Sequence, residues 1–357
     1  MDLYQKKLAS EKRKAFIEGF FINAFLLYYL FVCLLYLSFN LRGLELGDFA
    51  AAAQVGLVLL PIAVVIAGIW TRSPFSPGRT FIERTNDFLK PMRKEPDGSW
   101  WASPSGIVLI ITLIATVLMG WSMIEVNLYS LFSAQGMAGA QRIFAALFSP
   151  EFDILAITLQ AMVVTIFIAL MATVIAVPLA FVLSFFSARN LMKGSAVRMA
   201  VYNVLRLIAN FTRSIEPLIW AIIFSVWVGI GPFAGMLALM LHSVASLIKL
   251  YSEQIENVDQ GPLEAIEATG ANWIQVIWYA VVPQVALPFL SFTIYRWDIN
   301  IRMATIIGLV GGGGIGTLLI QYQGLAKWNE VGTMVLTIAI VVWIMDYLSA
   351  RIREAIY

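Results

Sequence analysis

The chain has 357 residues, of which 60% are hydrophobic and only 13% charged, and its mean hydropathy is +0.82. A soluble domain carries about 25% charged residues, so this composition excludes an ordinary soluble protein and indicates a polytopic membrane protein. The net charge of +2 gives no basis for nucleic-acid binding. The single cysteine, Cys33, and the single histidine, His242, argue against a disulfide framework and against a metal site.

Three apolar runs in the first third of the chain are long enough to cross a bilayer, which takes about 20 residues as a helix. They cover residues 20–39, about 50–70 and about 105–124. Basic residues precede the first run and fill the polar stretch 71–104, and an excess of Lys and Arg marks cytoplasmic loops. We therefore predict an N-terminal extension, residues 1–125, with three transmembrane helices and a cytoplasmic N-terminus.

The next part of the chain changes from mixed to strongly apolar. Residues 126–153 are acidic rather than basic and predict an extracytoplasmic connector, with a surface helix at 137–148. The longest apolar stretch, 154–187, follows and carries Pro178 near its inner end. Basic residues then recur at helical spacing among apolar ones over 189–213, which is typical of an amphipathic helix on the inner membrane surface.

Further apolar runs complete an all-α polytopic membrane protein with about eight transmembrane helices and both termini in the cytoplasm. They cover about 215–231, 234–250, 277–296 and 331–350. The glycine-rich segment 301–326 between the last two is either a full span or re-entrant. With this topology most basic residues lie inside, and the exceptions are Arg42, Arg142, Arg296, Arg302 and Lys327.

A polar interruption between two of these runs reads LEAIEATGANWIQVIWYAVVPQ, residues 263–284. Pro262 suits the first position of a helix, and Glu264 then falls in the first turn, where a carboxylate favours the helix dipole. Gly270 is a natural left-handed stop, and Asn272 can cap a following helix. The small residues on the first helix leave a flat face, so the segment is either an ordinary helical hairpin or a helix that docks on a soluble partner.

The same stretch resembles the EAA loop of bacterial ABC importer permeases, whose pattern is EAA, three residues, Gly, nine residues and Ile-x-Leu-Pro. Glu264, Ala265, Gly270 and Pro283 match in register. The departures are small replacements, at Ile266, Ala280 and Val282. The resemblance implies a cytoplasmic coupling loop, about 253–275, that sits in a groove of an ATPase subunit. The ATPase-coupling residues that it implies are Glu264, Ala265, Glu267, Ala268, Gly270 and Pro283.

A narrower resemblance covers roughly residues 150–357. The segments at 204–243, 295–316 (YRWDINIRMATIIGLVGGGGIG) and 345–353 are similar to the permease of phosphonate-type ABC importers, although Asp298 stands where glutamate is usual. The resemblance implies a type I ABC importer permease core of five helices over 154–357, in a bacterial inner membrane.

The partners and substrate follow from the same resemblance. It implies two ABC ATPase subunits that bind ATP and Mg²⁺, so that this chain has no cofactor and is no enzyme. It also implies an extracytoplasmic substrate-binding protein and surrounding membrane lipid. The expected substrate is a phosphonate or a related phosphorus oxyanion, such as phosphite or a phosphate ester. Because 154–250 is not repeated by 277–350, a second copy of the chain should complete the translocation path.

The glycine segment GLVGGGGIGT, residues 308–317, formally contains G-x-G-x-x-G. It lies between membrane helices rather than after a strand, and Thr317 stands where a P-loop has lysine, so neither a dinucleotide site nor an ATP site is predicted. Glycine instead permits close backbone approach. The segment either shapes the translocation path or its outer gate, or serves plain packing. The candidates are Gly311, Gly312, Gly313, Gly314 and Gly316.

Three charged residues are predicted just after the seventh span: Arg296, Asp298 and Arg302. Ionisable residues at membrane depth are costly and often functional. They form either an interfacial ion pair, in which Asp298 pairs with one of the arginines, or a basic lining of the path for an anionic phosphonate.

An ion-coupled secondary transporter of a small anion is the alternative function. It predicts internal repeats and buried carboxylates within spans, and neither is evident in the sequence. An intramembrane enzyme would need a catalytic constellation, and the sequence suggests none.

Overall fold

The computed structural model describes residues 2–41, 49–73, 76–86, 104–124 and 126–356. Within these ranges every regular element is a helix, which confirms the predicted all-α fold. Much of the stretch predicted to be cytoplasmic, 71–104, lies outside the described residues, as does Arg42. The chain forms two compact units, Met1–Ser133 and Ala134–Tyr357.

In the first unit one buried asparagine bonds three neighbouring elements. Its helices are α1 (Asp2–Leu41), α2 (Phe49–Trp70), α3 (Pro77–Thr85), α4 (Pro104–Met123) and α5 (Leu128–Phe132). The Asn23 amide of α1 donates to Thr71 Oγ1 at 2.8 Å and to Ser76 Oγ at 2.7 Å, and its oxygen accepts from the Gly78 backbone N–H at 2.8 Å. These bonds satisfy a fully buried polar side chain and hold α1 against the end of α2 and the start of α3.

The second unit is built around three long helices. Its elements are α6 (Ala134–Leu147), α7 (Leu155–Phe186), α8 (Arg189–Met192), α9 (Ala196–Ser214), α10 (Pro217–Val228), α11 (Pro232–Glu256), α12 (Gln260–Ala268), α13 (Trp273–Val276), α14 (Val282–Gly308), α15 (Ile315–Gly324) and α16 (Trp328–Ile356). A π-helical turn, Ile277–Val281, leads from α13 into α14. Helix α11 packs along α7, and α14 packs against both. Small residues at these contacts, such as Ala172 and Ala238, let the helices approach closely.

Each of the eight predicted apolar runs forms a helix, but the helices differ in length. By length and composition six helices among the described residues can cross a membrane, or seven if one bent pair is a single span. They are Tyr4–Ser38, Ser105–Met123, Phe152–Phe186, Pro232–Glu256, Trp273–Gly308 and Trp328–Ile356. The run predicted at about 50–70 contains a shorter apolar helix, Gly56–Trp70. The run predicted at 215–231 is α10, which meets α9 at a bend of 91°.

The boundary predicted for the seventh span was wrong. The apolar run stops near position 296, but α14 continues to Gly308. Arg296, Asp298 and Arg302 therefore lie inside the helix rather than after it. The Asp298–Arg302 pair, spaced i and i+4, supports helical structure there, and the mostly apolar residues 303–307 continue the helix.

In the segment 301–326 the residues up to Gly308 complete α14, and a glycine turn and the short α15 follow. Gly311, Gly313 and Gly314 have φ values of 92°, 78° and 72°, a region that other residues rarely adopt. A Cβ added to Gly313 would lie 2.7 Å from the nitrogen of Pro232.

The contact between Gly235 of α11 and the glycine turn gives a stability prediction. A Cβ at Gly235 would overlap the carbonyl oxygen of Gly312, whereas a Cβ at Gly139 of α6 would meet nothing within 4 Å. Gly235→Ala should therefore lower the Tm of the detergent-solubilised protein, because overpacking costs about 1–3 kcal/mol. The control Gly139→Ala should leave the Tm equal or slightly higher, because alanine favours a helix. Equal Tm values for both variants would contradict the tight contact.

Candidate functional site

Helix α12 begins earlier than the sequence predicts. The Asp259 side chain accepts a hydrogen bond from the Gly261 backbone N–H at 3.2 Å and caps the helix, so Gln260 is its first residue. Pro262 is therefore not at the first helical position, and Glu264 is not in the first turn. The helix starts earlier because aspartate is a better helix cap than glycine. Pro262 is tolerated there because the first backbone N–H groups of a helix have no partner within it.

The end of α12 agrees with the prediction. Gly270 has a φ of 81°, and its N–H donates to the Glu267 carbonyl at 2.9 Å. Asn272 then caps α13: its side chain accepts from the Gln275 N–H at 3.0 Å, and the Gln275 side chain accepts from the Asn272 N–H at 2.8 Å. This capping box joins α12 to the next helix through a short, ordered connection.

Helix α12 has one anchored face and one exposed face. Leu263 is buried in the apolar cluster formed by α7, α11 and α14, and Ile266 packs against the same cluster. The predicted coupling residues lie on the exposed side or just beyond it, and they are Glu264, Ala265, Glu267, Ala268 and Gly270. The exposed Pro283 lies apart from them, in the first turn of α14. The structure therefore presents a small polar face whose opposite side is held by the core.

Gln284 connects α12 to α14, and sequence analysis missed it. Its side-chain oxygen accepts from the Asp259 N–H at 2.9 Å, and its amide donates to the Ala280 carbonyl at 2.8 Å and to the Asp259 carbonyl at 3.5 Å. This side chain, in the first turn of α14, thus bonds both the N-cap of α12 and the π-helical turn Ile277–Val281. A glutamine directly after Pro283 in an otherwise apolar run was the available signal.

A second polar clamp lies nearby, at the end of α11. Glu256 accepts from the Arg189 N–H at 2.8 Å and pairs with Arg206 at 2.9 Å. Arg206 also donates to the Ser187 carbonyl at 3.1 Å. The ends of α7 and α11 and the basic helix α9 are joined by these bonds.

Helix α14 carries two polar faces halfway along its length. On one face the Nε of Arg296 donates to Ser243 Oγ of α11 at 3.1 Å. Asn300, one turn later, donates to Ser243 Oγ at 2.8 Å and to Thr173 Oγ1 of α7 at 2.9 Å. All four side chains are buried, with Arg296 only 7% exposed. Ser243, Asn300 and Thr173 were not among the predicted site residues, although each is a polar residue within a long apolar helix.

The other polar face of α14 is turned toward α16. Arg302 pairs with Asp298 at 2.8 Å and with Asp346 of α16 at 3.2 Å. Asp298 is buried, whereas the Arg302 and Asp346 side chains are each 43% exposed. Of the two pairings left open by the sequence, the structure contains Arg302 with Asp298. Arg296 and Asp298 lie on different faces.

The glycine turn adjoins a cavity on α7. The cavity has a volume of about 320 Å³ and is lined by Ile157, Gln160, Ala161, Val164 and Gly314. The Thr165 hydroxyl of α7 accepts from the Ile315 N–H at 2.8 Å and holds the start of α15 beside it. Among the described residues, no group of three or more His, Cys, Asp or Glu side chains is placed to hold a metal ion.

The role of the Asp298–Arg302 ion pair can be tested by removing first the arginine charge and then the carboxylate charge as well. Arg302→Met should lower the Tm, because a buried carboxylate that loses its partner costs about 1–3 kcal/mol. Adding Asp298→Asn to that variant should recover much of the loss. Lys327→Met is the control, since Lys327 pairs with Glu330 while 53% exposed, and such pairs contribute about 0–1 kcal/mol. A double variant no more stable than Arg302→Met would rule out the pairing as the cause.

The sequence of this chain is similar to a protein-family model and to several known permease proteins. The family model described as binding-protein-dependent transport system inner membrane component matches residues 180–356. The phosphite transport system permease protein PtxC of Stutzerimonas stutzeri is 34% identical over 257 residues, which cover 71% of this chain and 90% of PtxC. The phosphate-import permease protein PhnE of Mycolicibacterium smegmatis is 30% identical over 243 residues, which cover 68% of this chain and 44% of PhnE. The chain therefore belongs to the family of binding-protein-dependent transport system inner membrane components.

Proposed function

We propose that this chain is the membrane-spanning subunit of an ATP-driven importer for a phosphorus oxyanion. The observation that carries the proposal is α12, a short helix with a buried anchor and an exposed face, inside the region 180–356 that matches the family model. The substrate class is supported by the relatives, whose names specify phosphite and phosphate import. Phosphite, phosphonate and phosphate esters share a tetrahedral, anionic phosphorus group, and we propose this group as the recognised feature.

Coupling to ATP hydrolysis is assigned to α12. Its exposed face, Glu264 to Gly270, would sit in a groove of an ATPase subunit, and the buried Leu263 would keep it from moving independently of the bundle. Gln284 bonds the start of α12 to the start of α14, so a displacement of α12 is passed to a helix that crosses the membrane. ATP and Mg²⁺ would be bound by the two ATPase subunits and not by this chain.

The translocation path is assigned to the middle and end of α14 and to the glycine turn. Arg296, Asp298 and Arg302 place charge halfway along the helix, where charge is costly unless it has a role. The turn from Gly311 to Gly316 would shape the outer end, beside the cavity that Gly314 lines. The close contacts of Gly312 with Ile307 and Gly235 support a role for this glycine in fixing the turn.

The assembly that we propose contains two copies of this chain, two ATPase subunits and an extracytoplasmic binding protein. Both termini would lie in the cytoplasm of a bacterium, with the chain in its inner membrane. Residues 1–125 form an N-terminal extension in this scheme, residues 126–153 the extracytoplasmic connector, and 154–357 the permease core. The basic helix α9 is consistent with an inner-surface position, since its exposed side combines apolar and basic residues.

Reconstitution tests the function directly. Liposomes that contain this chain with its ATPase subunits should accumulate radiolabelled phosphite or methylphosphonate when ATP and the binding protein are present, and sulfate should not accumulate. Uptake driven by a proton or sodium gradient without ATP would contradict the proposal and favour the ion-coupled alternative. A complex that is ATP-dependent but carries no phosphorus oxyanion would reject the substrate class.

The docking role of α12 predicts a charge-reversal effect. Glu264→Lys should prevent co-purification of the ATPase subunits and abolish uptake, because it changes the sign of charge on a closely packed docking face. The protein should still insert and keep its Tm, since Glu264 is exposed. Glu354→Lys is the matched control on an exposed glutamate of α16. Normal uptake with Glu264→Lys would remove the basis for docking at α12.

A further inference from the structure

No carboxylate among the described residues pairs with the guanidinium of Arg296. Its Nε is bonded to the neutral Ser243 hydroxyl, and its Nη2 is buried with no hydrogen-bond partner within the described part of the chain. The carboxylate closest in sequence, Asp298, is on the other face of α14 and is paired with Arg302. A positive charge is thus held halfway along a membrane-spanning helix, and nothing around it in the described residues neutralises it.

The surroundings of Arg296 are polar but uncharged. Asn300 and Ser243 exchange hydrogen bonds at 2.8 and 3.1 Å, and Asn300 also reaches Thr173. Amide and hydroxyl groups supply dipoles that can turn toward an added charge, but they do not offset a cation that is removed from water. An uncompensated buried charge costs several kcal/mol, so a purely structural role would favour an apolar residue at this position.

We infer that Arg296, together with Ser243 and Asn300, binds the transported tetrahedral oxyanion midway across the membrane. This inference rests on the proposed function, and it names Arg296 as the residue that binds the transported oxyanion. A guanidinium matches two oxygens of such an anion in a bidentate arrangement, and the anion supplies the missing negative charge. Arg302 is not equivalent, because two carboxylates already occupy it.

The site is closed in this structure, so access to it requires movement of α14. Arg296 and Asn300 face α7 and α11, and their side chains are buried between the three helices. A shift of α14 relative to these helices opens the cluster, and Gln284 connects α14 to the docking helix that would drive the shift. The oxyanion therefore binds in an open state and is released when the three helices pack again.

Two variants separate binding from structure in the reconstituted complex. Arg296→Met removes a buried charge and should keep or raise the Tm. It should lower phosphite uptake at least about tenfold, because a charged hydrogen bond is lost, while ATP hydrolysis stimulated by loaded binding protein continues. Arg296→Lys keeps the charge and should retain more uptake than Arg296→Met. Arg142→Met, on an exposed arginine of α6, is the control and should transport normally.

Asn300→Asp provides an independent check. This nearly isosteric change places a carboxylate beside Ser243, where it can pair with the guanidinium, so the Tm should be kept or raised while uptake falls. Wild-type uptake by Arg296→Met or by Asn300→Asp would overturn the inference, and so would a Tm fall in Arg296→Met that parallels its loss of uptake. If the wild-type complex itself carries no phosphorus oxyanion, the proposed function fails and not only this assignment.

Discussion

A charge inside an apolar helix bundle must be neutralised, and α14 carries three charged residues, Arg296, Asp298 and Arg302, halfway along its length. On one polar face of α14 the charges are neutralised within the chain, because Arg302 pairs with both Asp298 and Asp346. On its other face Arg296 is bonded to the neutral Ser243 hydroxyl, and no carboxylate in the described part of the chain pairs with it. The contrast separates two arginines of one helix: Arg302 stabilises the contact with α16, whereas no carboxylate among the described residues pairs with Arg296.

The same helix is mechanically connected to the exposed α12. The N-cap of α12 is bonded to Gln284 in the first turn of α14, and the capping box at Asn272 keeps the connection short. The π-helical turn Ile277–Val281 lies between them, and such turns are frequent at functional sites in helices. Proline at position 283 weakens the helical hydrogen bonding at the same place. A displacement of α12 would therefore reach the buried polar cluster through one continuous element.

Sequence patterns located most helices and the features of the α12 loop that depend on neighbours in the chain. Gly270 and Asn272 behave as predicted because a left-handed stop and a side-chain cap are local interactions. The start of α12 was predicted two residues late, because the side chain of Asp259 caps the helix two residues before the position that Pro262 suggested. The end of the seventh span was missed because hydropathy falls near position 296, whereas the helix itself continues through the Asp298–Arg302 pair to Gly308.

The sequence alone determined the membrane class, the order of the helices and the family, because apolar runs, basic flanks and a motif of fixed spacing are properties of consecutive residues. Only the tertiary structure decided which charged residues meet. Positions 296, 298, 300 and 302 alternate between two faces of one helix, and their partners at 173, 243 and 346 come from three other helices. Such pairings depend on how the helices pack, and the spacing of residues along the sequence does not reveal them.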